Sequence, residues 1–298
     1  MTPALSLQAL RPRLVFYAFV APFAALTVLF GVWPILLSFQ VSLTASATAL
    51  KPDATYVGLA NYAAILSDPL FRDSLLRTLA YTAAAVAANV GFALAFALLL
   101  DSPLLARGRT LFKVAVFLPV VTPDVAGYVV WRWLYDRSFG AVNAALALLG
   151  LPPFGGLSSA DTVLPAILVA ELWHHAGFYV VIFLANLAMR QRSLEEAAAL
   201  DGAGKWQVFR YVILPQLRPA LVINTVYALI QFLKTFTVVV VMTKGGPADR
   251  TNFVSYYAYQ LFDQGRYGEA TAMASVLFAI VAVAASIAYA LGERGERA

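Results

Sequence analysis

Six apolar runs, each long enough to cross a bilayer, leave this chain of 298 residues very few ways to fold. They fall near 14–39, 75–100, 111–134, 163–189, 217–243 and 267–291. A hydrocarbon core about 30 Å thick needs roughly 20 residues of helix, and every backbone N–H and C=O inside it must be paired within the segment. The runs therefore predict an all-α, polytopic membrane protein with six transmembrane helices. Composition agrees: 61% of residues are hydrophobic, 12% are charged and mean hydropathy is +0.76, whereas a soluble domain carries about 25% charge. A soluble enzyme, a disordered chain and a repeat scaffold are excluded on that ground. Tyr17, Trp33, Trp131, Trp133, Tyr135, Tyr256 and Tyr257 gather at the ends of runs, where amphipathic rings favour the headgroup layer.

Orientation follows from Lys and Arg. With both termini in the cytoplasm, twelve of the 21 basic residues lie inside, eight lie outside and Lys234 lies within a span. That bias satisfies the positive-inside rule. It also explains the net charge of +5 and the pI of about 9.4 without a nucleic-acid partner. Cysteine is absent, so no disulfide, thiol nucleophile or Cys-bound metal is expected. His174 and His175 are adjacent and lack the i,i+4 spacing of a helical metal pair. Ala45-Ser46-Ala47 resembles a signal-peptidase site. The apolar run before it is far longer than the 7–15 residues of a signal core, so an uncleaved first span is expected.

Segment 190–216 joins the fourth and fifth runs and should face the cytoplasm. Ser193 and Glu196 have the spacing of a capping box, which predicts a short helix ended by Gly202 or Gly204. Trp206, Phe209, Val212 and Ile213 supply a second amphipathic turn, and Pro215 and Pro219 break the chain before the fifth run. Small Ala side chains on the first helix permit close approach of another protein. The pattern alone leaves two readings: a docking element, or an ordinary connection with a few helical turns. Gly202-Ala203-Gly204-Lys205 is not a phosphate loop, because Ala199 and Trp206 stand where such a loop needs Gly and Ser/Thr.

Glu196-Ala197-Ala198, three residues, Gly202, nine residues and Val212-Ile213-Leu214-Pro215 together resemble the EAA signature of ABC-importer permeases, with Val212 where Ile is usual. Further matches spread over nearly the whole chain. They include Gly58-Leu59-Ala60-Asn61-Tyr62, Arg77-Thr78, Phe117-Leu118-Pro119, Trp131, Gly140 with Asn143, Trp173, and Thr243-Lys244-Gly245-Gly246-Pro247. These look like the carbohydrate group, of maltose, glycerol-3-phosphate and lactose type. Met189-Arg190-Gln191-Arg192 departs from that group, which more often has an apolar-Gln-x-Ile-Pro sequence there. The resemblance implies a single permease domain over 1–298 in a bacterial or archaeal cytoplasmic membrane. It further implies a second permease subunit, two ATPase subunits and an extracytoplasmic sugar-binding protein as partners. Glu196, Ala197, Ala198, Gly202, Leu214 and Pro215 would couple to the ATPase. ATP and Mg would be bound by that ATPase, leaving this chain without a cofactor, a metal or catalytic residues.

Polar groups within a span are costly and face a cavity or a partner. The candidates are Asn89, Glu171, His174, His175, Asn186, Asn224, Gln231, Lys234 and Thr235. A sugar needs flat apolar faces and hydrogen-bonding groups together. Trp173, His174 and Tyr179 of the fourth run and Gln231, Lys234 and Thr235 of the fifth are therefore the expected substrate contacts. The last three recur at i, i+3 and i+4 and should share a helical face. A bridge to the second permease is the competing reading for Gln231 and Thr235. Lys234 could pair with Glu171 or meet an anionic solute such as glycerol-3-phosphate; Glu171 could instead lie near the outer interface. Asn89 and Asn224 read as helix–helix contacts. A secondary transporter would want internal repeats over more spans, and an intramembrane metalloprotease would want an HExxH motif; neither is present.

Overall fold

The computed structural model describes residues 7–45, 55–105 and 107–294, with side chains over 15–45, 55–105 and 107–292. Ser46, Ala47 and Lys51, and the side chains of Arg11, Arg13, Arg294 and Arg297, lie outside that description. The described residues are helical with no named strand; a lone bridge pairs Thr44 with Tyr56. Four helices are long and apolar enough to cross a membrane, and two sharply bent pairs raise the number to as many as six.

Two compact units are present. The first comprises residues up to Ser67 together with Gln260–Ser275. In it α1 (Leu7–Thr27), a π-turn (Val28–Val32) and α2 (Trp33–Ser42) form one apolar rod. Phe16, Phe19, Phe23 and Phe30 stand exposed along it, a surface suited to hydrocarbon. A turn through Gly58, at φ +58°, leads into α3 (Ala60–Ser67).

The second unit holds Asp68–Tyr259 and the chain from Val276 onward. It begins with α4 (Pro69–Asp101), where Asp68 caps by accepting from the Leu70 N–H. Next come α5 (Arg109–Phe117) and α6 (Asp124–Leu134), which meet at 105°. The run 111–134 is therefore not the straight span its hydropathy predicts. Pro119 and Pro123 withhold two helical N–H donors, and the chain passes through a 3₁₀ turn and extended backbone at Thr122. After α7 (Ala141–Leu148), α8 (Val163–Met189) packs along α4, and both meet α12. Small buried residues line this seam, among them Ala85, Ala93, Ala97, Ala166, Ala170 and Ala228, as expected where helices associate without a hydrophobic drive from water. A Cβ on Gly177 would lie 2.3 Å from the Val116 carbonyl oxygen, so α5 approaches α8 there as only glycine allows.

Segment 190–216 contributes α9 (Arg192–Leu200), α10 (Lys205–Val208), a π-turn (Phe209–Ile213) and α11 (Leu214–Gln216). α12 (Arg218–Leu233) follows. At 1.5 Å per residue its 16 residues span about 24 Å, short of the bilayer core. The chain unwinds over Lys234, Thr235 and Phe236 and resumes as a helical turn that ends with the π-turn Val239–Thr243. α13 (Val254–Asp263) and α14 (Tyr267–Arg294) complete the fold.

Candidate functional site

Two adjoining polar cavities, of about 250 and 210 Å3, open in the second unit where the α5–α6 bend, α8 and the end of α12 converge. Asp124, His175 and Gln231 line both. One continues onto Phe178, Tyr179 and Tyr227, the other onto Tyr128, Glu171, Lys234 and Thr235. Three of the polar groups are met from another element. His174 Nε2 lies 2.9 Å from Asp124 Oδ1, and Tyr81 Oη donates to Glu171 Oε2 at 2.7 Å. Tyr128 Oη lies 3.4 Å from His175 Nε2. Phe178 and Tyr227 stack with centroids 4.4 Å apart and form a flat wall. Beside this wall, Tyr179 and His174 are buried, and the Tyr179 hydroxyl and His174 Nδ1 have no hydrogen-bond partner among the described residues.

The structure brings His174, Tyr179, Gln231, Lys234 and Thr235 to these cavities. Contrary to what their spacing predicts, the last three do not share a helical face. α12 ends at Leu233, and the unwound backbone carries Lys234 and Thr235 into the cavity, with Thr235 Oγ1 donating to the Phe232 carbonyl. Trp173 lies elsewhere: it packs on Trp131 at 5.9 Å and lines a separate apolar cavity with Phe92, Ala115 and Pro119. Glu171 sits two turns into α8, buried and held by Tyr81; Lys234 is exposed and makes no ion pair among the described residues. Asn224 donates to the Tyr179 carbonyl across the helix pair, whereas Asn89 Nδ2 donates to the Ala85 carbonyl of its own helix. Sequence reasoning missed Asp124, Tyr128 and Tyr81. A carboxylate directly after Pro123 inside an apolar run was the readable sign of a break. Among the described residues no group of three acidic or histidine side chains could hold a metal.

Segment 190–216 forms an exposed helical hairpin. Its first helix does not use the Ser193–Glu196 capping box: α9 begins one residue after Gln191, and Ser193 already lies in its first turn. Arg190 sets that start. Its guanidinium reaches Asp101 Oδ2 at 2.6 Å and Glu195 Oε1 at 2.5 Å and also donates to the Leu187 carbonyl. Burial acts to lower its pKa, but the Glu195 and Asp101 hydrogen bonds outweigh burial and hold it above the usual arginine value. The end of α9 is a Schellman motif: Ala203 N–H donates to Ala198 and Gly202 N–H to Ala199. Gly202, at φ +83°, supplies the left-handed residue; Gly204 does not. Gln207 Oε1 accepts from the Gly204 N–H and opens α10. Glu196 and Ala197 face outward, Leu214 and Pro215 are half-buried, and Leu200 and Trp206 are 89% and 70% exposed. Ala198, Gly202, Ala203 and Tyr211 help line a groove of about 340 Å3 between the two arms.

Residues 57–297 match the family described as binding-protein-dependent transport system inner membrane component. The chain belongs to this family. It is 30% identical over 265 residues to the trehalose/maltose transport system permease protein MalF of Thermococcus litoralis, covering 89% of each chain. It is 32% identical over 272 residues to the sn-glycerol-3-phosphate transport system permease protein UgpA of Brucella abortus, covering 89% of this chain and 90% of that one. Its fold is that of a chain in a bacterial alginate ABC transporter solved with an alginate pentasaccharide-bound periplasmic protein, at TM-score 0.83, 22% identity and 96% coverage of both chains. It is thus a transmembrane permease component of ABC transporters, as its EAA-like residues predict.

Several other residues that suggested this permease family have structural duties. Asn61 donates to the Ser42 and Thr44 carbonyls, and Tyr62 Oη bonds Ser42 Oγ at 2.7 Å, so Gly58–Tyr62 staples the end of α2 to α3. Asn143 makes a two-bond bridge to the Phe154 backbone. Gly245, at φ +85°, would bring a Cβ within 2.9 Å of the Tyr256 ring.

Proposed function

We propose that this chain is one permease half of an ATP-driven, binding-protein-dependent carbohydrate importer. Residues 1–298 act as a single permease domain in a bacterial or archaeal cytoplasmic membrane with both termini inside. A second permease completes the pathway, two ATPase subunits bind the ATP and Mg, and an extracytoplasmic binding protein delivers the sugar. This chain performs no covalent chemistry and holds no cofactor. The polar cavities at the α6, α8 and α12 ends, with their aromatic wall, contribute half of a site for a polyhydroxylated solute. Asp124, His174, Tyr179, Gln231, Lys234 and Thr235 supply hydrogen-bonding groups, and Trp173, which stacks beside His174, backs that residue from outside the cavities.

The observation that carries coupling is the exposed hairpin of α9 and α10. Leu200 and Trp206 are large apolar side chains held out on a helix pair, next to a groove; such a surface needs a partner. Glu196, Ala197, Ala198 and Gly202 form its approachable side, and Leu214 and Pro215 fix its return to α12. ATP-driven closure of the ATPase dimer would push on this hairpin and tilt the spans. In cells making the whole transporter, Glu196→Lys or Gly202→Trp should abolish uptake of the transported sugar, with maltose as first probe, while ligand binding by the binding protein stays unchanged. Normal uptake in both variants contradicts the coupling role. The unpaired Lys234 favours a second reading, an importer of sn-glycerol-3-phosphate or another small polar solute. Saturable uptake of that anion with no sugar uptake would establish it.

A further inference from the structure

One buried cation ties the hairpin to a helix that the chain does not connect it to. Segment 190–216 is joined covalently to α8 and α12 alone. Arg190 adds α4: its guanidinium spans Asp101 at the end of α4 and Glu195 in the first turn of α9, and donates to the Leu187 carbonyl in the last turn of α8. The arginine side chain is 8% exposed and both carboxylates are 20% exposed. Arg192 stands 3.6 Å from the other Asp101 oxygen, and Arg109 donates to the Asp101 and Ser102 carbonyls, which extends the tie toward α5. A neutral bond from Gln191 N–H to Gln216 Oε1 closes only the neck of the hairpin itself.

We infer that Arg190 is a positioning residue that makes α4 move with the hairpin, so that a push on α9 reaches the core helix pair directly. This rests on the reading of 190–216 as the ATPase-docking segment. The physical reason is asymmetry of cost. Paired and screened from water, the fork is strong; pulling α9 away from α4 would leave a nearly buried charge with one partner missing. Moving the two helices together avoids that state.

The absence of native cysteine allows a direct test. Spin labels are placed at Leu99→Cys on α4 and Leu200→Cys on α9 of the full transporter, with cysteine-free partner subunits in lipid nanodiscs. The interspin distance is compared between the nucleotide-free and ATP–vanadate-trapped states. In the otherwise native chain the distance should stay the same in both states. In Asp101→Asn and Arg190→Gln it should shift and broaden on trapping, while ATP hydrolysis stimulated by the binding protein falls about tenfold. Arg190→Lys, which keeps the charge but not the fork, should fall between. The double variant should be no worse than Arg190→Gln alone, because the pair acts as a unit. A distance that changes in the native chain, or one that stays fixed in the variants, overturns the inference. So does loss of ATPase co-purification in the variants, which would make the clasp a mere builder of the docking face. A Leu200 label whose mobility is unchanged when the ATPase is added overturns the docking reading itself, independently of the clasp.

Discussion

Thr78 shows how much one hydroxyl does in a low-dielectric interior. Its Oγ1 donates to the Ser74 carbonyl at 2.7 Å and accepts from the Val254 N–H at 3.0 Å, the first donor of α13. As the first donor of a helix it has no helical partner, and both residues are buried. Replacement by the isostere Val should leave it bare and cost about 1–3 kcal/mol, whereas Ser should cost little. Thermal unfolding of the purified protein in detergent checks this: Thr78→Val lowers the midpoint by several degrees and Thr78→Ser does not. Equal midpoints would mean the N–H finds another acceptor. Gly177 is the steric counterpart. With a would-be Cβ 2.3 Å from the Val116 carbonyl oxygen, Gly177→Ala must push α5 off α8. Overpacking of this kind costs about 1–3 kcal/mol, again read as a lower midpoint.

Among the elements, hydropathy identified the crossing segments and missed their breaks. The runs at 75–100 and 163–189 are single helices, because nothing in them removes a backbone donor from the helix interior. The run at 111–134 holds Pro119 and Pro123 and bends by 105°; the fifth run loses its helix at Lys234. Average apolarity is blind to both events, since it measures the solvent a segment tolerates and not the torsions it adopts. The capping box failed for a different reason. Ser193 and Glu196 have correct spacing, but a tertiary contact from Arg190 to Asp101, 89 positions back along the chain, draws the helix start to Gln191. Local pattern cannot foresee a partner so distant in sequence. Ser193→Ala should therefore change stability by less than about 0.5 kcal/mol, well under the roughly 1 kcal/mol of a lost cap, as judged by denaturation of the purified chain. A larger loss would show that the hydroxyl caps after all.

At the scale of the whole molecule, family membership was legible because the EAA-like spacing and the apolar runs are both local patterns. The cavity was only half legible. His174, Tyr179, Gln231, Lys234 and Thr235 could be picked out as polar residues in apolar company, but Asp124, near the middle of the run 111–134, was not, because spacing along one run does not show which residue of another helix a carboxylate meets. In the bent segment it lies 2.9 Å from His174 Nε2. What sequence argues about sidedness rests on the charge bias alone, and the cysteine-free background makes it testable. Leu200 on α9 and Phe139 beyond α6 are both strongly exposed. In the proposed orientation they lie on opposite faces, because the α8 crossing separates the loop after α6 from the hairpin. A membrane-impermeant maleimide added to intact spheroplasts should label Phe139→Cys and spare Leu200→Cys; inside-out vesicles stripped of the ATPase should reverse the pattern. The positive-inside bias is a preference and not a law, so the result has content. Labelling of Leu200→Cys from outside would place the hairpin where no ATPase can reach it, and the coupling reading would fall with the orientation.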